Sequence, residues 1–301
     1  MNSVSATLRP ATGLRTVKAY VALMKPRIIE LLLTTTLPAM VVAERGLPSV
    51  GKILITLAGG TLSAGGANAV NMWYDRDIDS IMKRTKSRPL VTGDVSPSAA
   101  LIFAIVIEAI AFAILWKFDN LLSAVLALGA ALFYIFIYTM WLKRSSSQNI
   151  VIGGAAGAVP VLVGWAAIQN NVSWAGILMF GIIFLWTPPH FWALAFKYKD
   201  DYSNAGVPML PSVATFKKTA NQIVIYTFVL VASTLVMGPV AKLGIIYDIS
   251  AAVLGAGFIY YSLRLRSTQS PKVAMRVFSF SITYLTLLFL AMGVDTLVFH
   301  H

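Results

Sequence analysis

Asn71-Met-Trp-Tyr-Asp75-Arg-Asp-Ile-Asp79-Ser-Ile-Met-Lys83-Arg-Thr-Lys-Ser-Arg88-Pro-Leu90 follows directly on a long apolar run. Carboxylates therefore stand at the mouth of what reads as a membrane helix. Asn71, Asp75 and Asp79 are spaced i, i+4, i+8. On a helix each step of four drifts by only about 40°, so all three share one face over roughly 12 Å. Asp77 points elsewhere. A row of hard oxygen donors suits Mg²⁺, above all where substrate phosphates complete its shell. Arg76, Lys83, Arg84, Lys86 and Arg88 follow or interleave. Carboxylates for a metal beside cations for an anion are the layout of a diphosphate site. A solvated, charged loop is the bland alternative. It leaves unexplained why three of only 12 acidic residues fall between positions 75 and 79.

The totals agree with a polytopic membrane protein. The chain has 301 residues, 57% apolar and 12% charged, with mean hydropathy +0.75. A soluble domain carries about twice that charge fraction. The net charge of +12 is not a nucleic-acid signature, because the basic residues lie between apolar spans. Cysteine is absent, which excludes disulfides and thiolate chemistry. Residues 1–27 hold Arg9, Arg15, Lys18, Lys25 and Arg27 and no acid. No short apolar core with a small-residue cleavage site is present there, so no cleaved signal peptide is expected.

About nine apolar spans can be drawn, near 28–44, 53–74, 98–116, 120–141, 150–168, 173–196, 221–238, 246–263 and 277–297. The expected fold is all-α: one transmembrane bundle around a central cavity, two four-helix halves plus one helix. A segment 1–27 precedes a single domain over 28–301. Arg45, Lys52, Lys117 and Lys242 lie on one side of the bundle, and every other lysine and arginine lies on the opposite side. The excess of Lys and Arg in cytoplasmic loops then predicts a cytoplasmic N-terminus, with His300 and His301 outside.

A second polar cluster follows span 6: Lys197, Tyr198, Lys199, Asp200, Asp201 and Tyr202. It emerges on the same side as the first, and sites between repeats are common in membrane proteins. Gly153, Gly154 and Gly157, like Gly59, Gly60, Gly65 and Gly66, read as close helix packing rather than phosphate loops. Pro188-Pro189-His190 lies inside span 6, where two missing donors are expected to kink or break the helix beside Trp186 and Trp192. His190 is either a hydrogen-bonded structural group or a functional one.

Several stretches together resemble the protohaem IX farnesyltransferases (haem O synthases), within the UbiA-type intramembrane prenyltransferases. These are Lys25-Pro26-Arg27, the Asn71/Asp75/Asp79 row with Arg84-Thr85 and Arg88-Pro89, and Tyr138-Thr139 with Leu142-Lys143-Arg144. Asn149-Ile150-Val151-Ile152-Gly153-Gly154 and Trp186-Thr187-Pro188-Pro189-His190-Phe191-Trp192 are others, as is Asp201-Tyr202 with Ala205-Gly206-Val207-Pro208-Met209-Leu210-Pro211.

The resemblance implies transfer of farnesyl from farnesyl diphosphate to a vinyl group of haem B with addition of water. The product would be haem O, a precursor in terminal-oxidase assembly. It implies Mg²⁺ as cofactor and a bacterial cytoplasmic membrane in preference to a mitochondrial one. Partners would be the bilayer and other haem-biosynthesis or oxidase-assembly proteins. Its metal ligands would be Asn71, Asp75, Asp79, Asp200 and Asp201, and its catalytic set Asn71, Asp75, Asp79, Lys197 and Asp201. Lys83, Arg84, Arg88 and Lys199 would hold the diphosphate. Lys25, Arg27, Lys143, Arg144 and His190 would be candidates for haem. The second motif departs from the family pattern, because Lys197 stands where an aspartate is expected. Trp73, Tyr74, Tyr138, Trp165 and Trp186 could line the chamber or simply pack. The rival classes are a secondary transporter, a non-catalytic assembly scaffold, and a prenyltransferase acting on a quinone-precursor ring or chlorophyll-type macrocycle.

Overall fold

The computed structural model describes residues 13–299, apart from the side chains of 27, 28 and 30–33. His300, His301, Arg9 and the Arg27 side chain therefore lie outside the described residues. The chain begins with α1 (Gly13–Leu23), α2 (Pro26–Glu44) and α3 (Val50–Tyr74), then two short helices, α4 (Arg76–Ile81) and α5 (Pro89–Thr92). Next comes α6 (Pro97–Ile114), which continues as a π-helical turn to Asp119. After it α7 (Leu121–Leu132) runs on through a π-helical stretch, Phe133–Leu142, into α8 (Lys143–Ser145). Beyond these lie α9 (Asn149–Gln169), α10 (Trp174–Ala195), α11 (Lys199–Asn204), α12 (Leu210–Val213), α13 (Phe216–Ala241), α14 (Ile245–Thr268) and α15 (Pro271–Phe299).

Among the described residues eight helices are long and apolar enough to cross a membrane. The ninth expected span is α2, whose first turns carry the undescribed side chains. It packs on α3, α9 and α15 and completes the bundle. α9 also touches α7 and α10, and α15 touches α10 and α14. The two expected halves thus share one body, and α15 closes it. The integral-membrane reading of the composition holds.

Local chemistry sets the helix ends. Ser49, Ser96, Asn120, Ser173 and Thr215 each accept from the backbone N–H three residues on, satisfying a donor no helix can satisfy for itself. Asp295 of α15 does the same from a distance, accepting from the N–H groups of Gly244 (2.5 Å) and Tyr247 (3.1 Å) at the start of α14. Glycine sets close approaches: a Cβ on Gly153 would stand 2.2 Å from Tyr138 Cδ2, and one on Gly65 2.6 Å from Met24 Cε. The small-residue faces are packing faces there, whereas Gly60 and Gly157 face open space.

The expected break at the prolines is absent. α10 is a continuous helix through Pro188 and Pro189. Its neighbours bury Trp186 to His190, and Thr187 Oγ1 donates to the Ile183 carbonyl. Packing in lipid and hydroxyl–carbonyl bonds tolerate proline where an isolated helix would break.

Candidate active site

The carboxylate row straddles a hinge. α3 ends at Tyr74, Asp75 takes a non-helical ψ of 8°, and α4 begins at Arg76. The i+4 registration survives because Asp75 N–H bonds the Asn71 carbonyl (2.9 Å) and Asp79 N–H bonds the Asp75 carbonyl (2.8 Å). Asn71, Asp75 and Asp79 are all buried, at 3%, 0% and 1% exposure. Asp77 turns outward, as its spacing predicts.

Cations from distant parts of the chain converge on this row. Lys25 Nζ donates to Asn71 Oδ1 (2.6 Å), and Asn71 Nδ2 donates to Asp75 Oδ2 (2.8 Å) and to Thr139 Oγ1 (2.9 Å). Lys143 pairs with Asp75 Oδ2. Arg144 lies 3.4 Å from Asp75 Oδ1 and donates twice at 2.8 Å to Asp77, its guanidinium stacked on Tyr74. Its hydrogen bond to Asp77 holds that carboxyl down at about 2. Arg88 Nη1 lies 2.6 Å from Asp79 Oδ2.

Lys25 sits just before Pro26 in the left-handed region, φ 55°. That conformation is disfavoured for a non-glycine residue and doubly so before proline. Burial first, then Arg88 and Lys143, hold its ammonium well below the usual lysine range. Tyr134 and Tyr138, stacked at 5.2 Å, stand near the same charges. Both rings are half-buried.

The loops after α3 and α10 meet. Ile78 and Met82 pack on Val207, with Tyr202 and Ala205 alongside. Arg84 lies over the Tyr198 ring (5.8 Å), with its charge near Tyr202. The second polar cluster thus contributes its tyrosines to the junction. Lys197, Lys199 and Asp200 are exposed and Asp201 half-exposed, and Lys83 is exposed too. Among the described residues no three His, Asp or Glu side chains stand together as a ready-made metal cage.

Lys143 and Arg144, like Lys25, join the carboxylate row. His190 lies elsewhere, on α10, stacked on Trp186 (4.1 Å) with Nδ1 2.7 Å from Ser281 Oγ. Of the five candidate liners, Trp165 packs on Gly176 and Trp73 lies under Arg76. Thr139 stands in the Tyr138-Thr139 stretch, but spacing alone gives it no role; the structure shows it accepting from Asn71. Two ionisable groups within spans have structural partners: Glu108 accepts from Ser63 (2.9 Å), and Asp295 caps α14. Neither this nor the unbroken α10 is the broken-helix, midplane site of a transporter.

Together these features define the class. The chain belongs to the UbiA prenyltransferase family, whose model matches residues 32–291. More narrowly, it is 53% identical over 289 residues to a protein of Pseudarthrobacter chlorophenolicus named protoheme IX farnesyltransferase, covering 94% of this chain and 91% of that one. It is 50% identical over 300 residues to protoheme IX farnesyltransferase 1 of Saccharopolyspora erythraea, covering 99% and 95%. Among solved structures it shares its fold with a digeranylgeranylglyceryl phosphate synthase (TM-score 0.78, 20% identity, 94% of this chain and 99% of that one). A UbiA homologue of Archaeoglobus fulgidus bound to GPP and Mg²⁺ gives TM-score 0.65 at 18% identity, covering 93% and 99%.

Proposed function

We propose that this chain transfers the farnesyl group of farnesyl diphosphate to a vinyl group of haem B, with addition of water, to give haem O. The observation that carries the reading is the buried Asn71/Asp75/Asp79 row ringed by cations, at the end of a bundle whose interior is apolar and aromatic. The relatives at about half identity over nearly the whole chain supply the acceptor.

The donor set suits Mg²⁺. Two buried carboxylates and an amide oxygen are hard ligands, and this ion commonly takes one or two carboxylates plus substrate phosphates. Asp75 and Asp79, with Asn71, would hold it, and Asp200 and Asp201 lie on the facing loop. Bound there, the ion would neutralise charge building on the diphosphate.

The chain's own residues do the rest. Arg84, Arg88 and Lys143 face the leaving group with fixed positive charge, joined by Lys83, Lys197 and Lys199 from the exposed rim. As the C1–O bond breaks, its electron pair leaves with diphosphate. C1 bonds to the terminal vinyl carbon, and the positive charge passes to the carbon beside the macrocycle. Water adds there and its proton goes to solvent. Tyr134 and Tyr138 offer ring faces near C1, and the enclosed chamber keeps water away until C–C bond formation. Lys25, Arg27 and His190 are candidates for the haem side.

The enzyme sits in a bacterial cytoplasmic membrane, with its N-terminus and site facing the cytoplasm and its C-terminus outside; the loop-charge asymmetry supports this. Haem-biosynthesis or oxidase-assembly proteins would be its partners.

The test incubates membranes carrying the chain with farnesyl diphosphate, Mg²⁺ and either haem B or 4-hydroxybenzoate. Haem O should form and no prenylated benzoate. Product from the benzoate alone would keep the chemistry and overturn the acceptor, and no product from either would overturn the enzyme reading.

A further inference from the structure

α1 has two apolar faces, and the bundle covers only one. Ala19 and Leu23 are buried among Ala69, Met72, Leu90, Ala100 and Ala104. Leu14, Val17 and Val21 point the other way and are 69%, 60% and 48% exposed. Their spacing of three and four makes a single stripe. Lys18 stands beside that stripe, and Arg15 pairs with Asp94 in the turn after α5.

The depth of α1 is fixed by its packing. The Tyr20 ring meets Phe103 edge-on at 4.9 Å. Phe103 lies about 9 Å along α6 from Pro97, at the height where outward Ile102 begins the lipid-facing surface. Tyr20, near the C-terminal end of α1, is therefore level with the outermost apolar exposed residues of α6, while Arg15 near its start reaches Asp94, just before α6. No acid precedes Glu30, so the segment that carries α1 is purely basic. An apolar stripe flanked by cations at that height suits an anionic bilayer surface.

We propose that α1 is an interfacial helix. Leu14, Val17 and Val21 enter the headgroup–acyl boundary of the leaflet on the Asp75 side, and Lys18 meets anionic lipid headgroups. The helix is also tied to the site: its C-terminal neighbour Met24 accepts from Asn68 Nδ2 (3.0 Å), and the next residue is Lys25 on Asn71. The proposal concerns lipid contact and stands whatever the acceptor of the reaction.

The chain has no cysteine, so single-cysteine labelling is clean. Leu14→Cys, Val17→Cys and Val21→Cys, each carrying an environment-sensitive fluorophore, are compared in nanodiscs with Ser267→Cys in the exposed last turn of α14. Each disc contains phosphatidylglycerol. The three α1 labels should be quenched by brominated lipid and be roughly tenfold less open to aqueous iodide than the Ser267 label. Replacing phosphatidylglycerol by phosphatidylcholine, or Lys18 by Gln, should raise iodide access. Iodide access equal to that at Ser267, with no lipid quenching, would overturn the proposal. So would shielding from iodide without quenching by brominated lipid, because it would place protein rather than lipid over the stripe.

Discussion

Asp79→Asn separates the two jobs assigned to the carboxylate row. The change keeps the side-chain shape and removes the charge. Asp79 and Arg88 are 2.6 Å apart, with side-chain exposures of 2% and 18%. Removing one partner of a fully buried pair costs about 3–5 kcal/mol. Arg88 reaches some water, and exposed pairs contribute about 1 kcal/mol or less. The expected loss of stability lies between, about 1–3 kcal/mol, or roughly 2–10 °C in Tm for a chain of this size. Adding Arg88→Gln removes the stranded cation and should recover most of that loss. Activity should behave differently. A fixed group acting on charge in the transition state contributes about 2.7–4 kcal/mol, a factor of roughly 10²–10³ in kcat. Both Asp79→Asn and the double variant should stay at least that far below wild type. The readouts are thermal unfolding in detergent and haem O formation followed by chromatography. If the double variant regained activity along with stability, Asp79 would be a counter-ion for Arg88 and the metal assignment would fall.

Gly153→Ala should lower Tm, because overpacking costs about 1–3 kcal/mol and the new methyl would press on Tyr138. Gly157→Ala, facing open space, should leave Tm nearly unchanged in the same melt. Asp295→Ala strands two backbone donors at the start of α14, one of them fully buried. It should cost about 2–4 kcal/mol in unfolding experiments while turnover per folded molecule stays at wild-type level.

The spans were legible because lipid leaves a helix few alternatives, so apolar runs mark it directly. The expected span 173–196 is α10 at Trp174–Ala195. The last three helices outrun their spans, since capped polar turns continue a helix without adding hydropathy. The carboxylate row was legible from spacing alone. Its counter-ions were not. Lys143 reads as a haem contact or as topology-setting charge, and on an α-helix it stands about 140° from Tyr138. The stretch Phe133–Leu142 is π-helical, and i→i+5 bonding brings residues five apart onto one face. No composition cue announced that change of period. α1 was hidden for another reason: its eleven residues are too short and too basic to register as a span.

The same ion pairs make a prediction about metal affinity. Asp75 and Asp79 are already neutralised by Lys143 and Arg88, so a divalent ion approaching those oxygens competes with the protein's own cations. A displaced Lys143 would find a partner only if a diphosphate arrived with the metal. Lys143→Met should therefore bind Mn²⁺ more tightly than wild type when no diphosphate is present. Side-chain exposures of 14% and 0% put this pair in the same range of about 1–3 kcal/mol, which corresponds to roughly 5–150-fold. The same variant should bind farnesyl diphosphate more weakly, because a cation facing the leaving group is gone. Mn²⁺ affinity measured by electron paramagnetic resonance decides the first point. An unchanged or weaker affinity would mean that Lys143 orients Asp75 for the metal instead of competing with it.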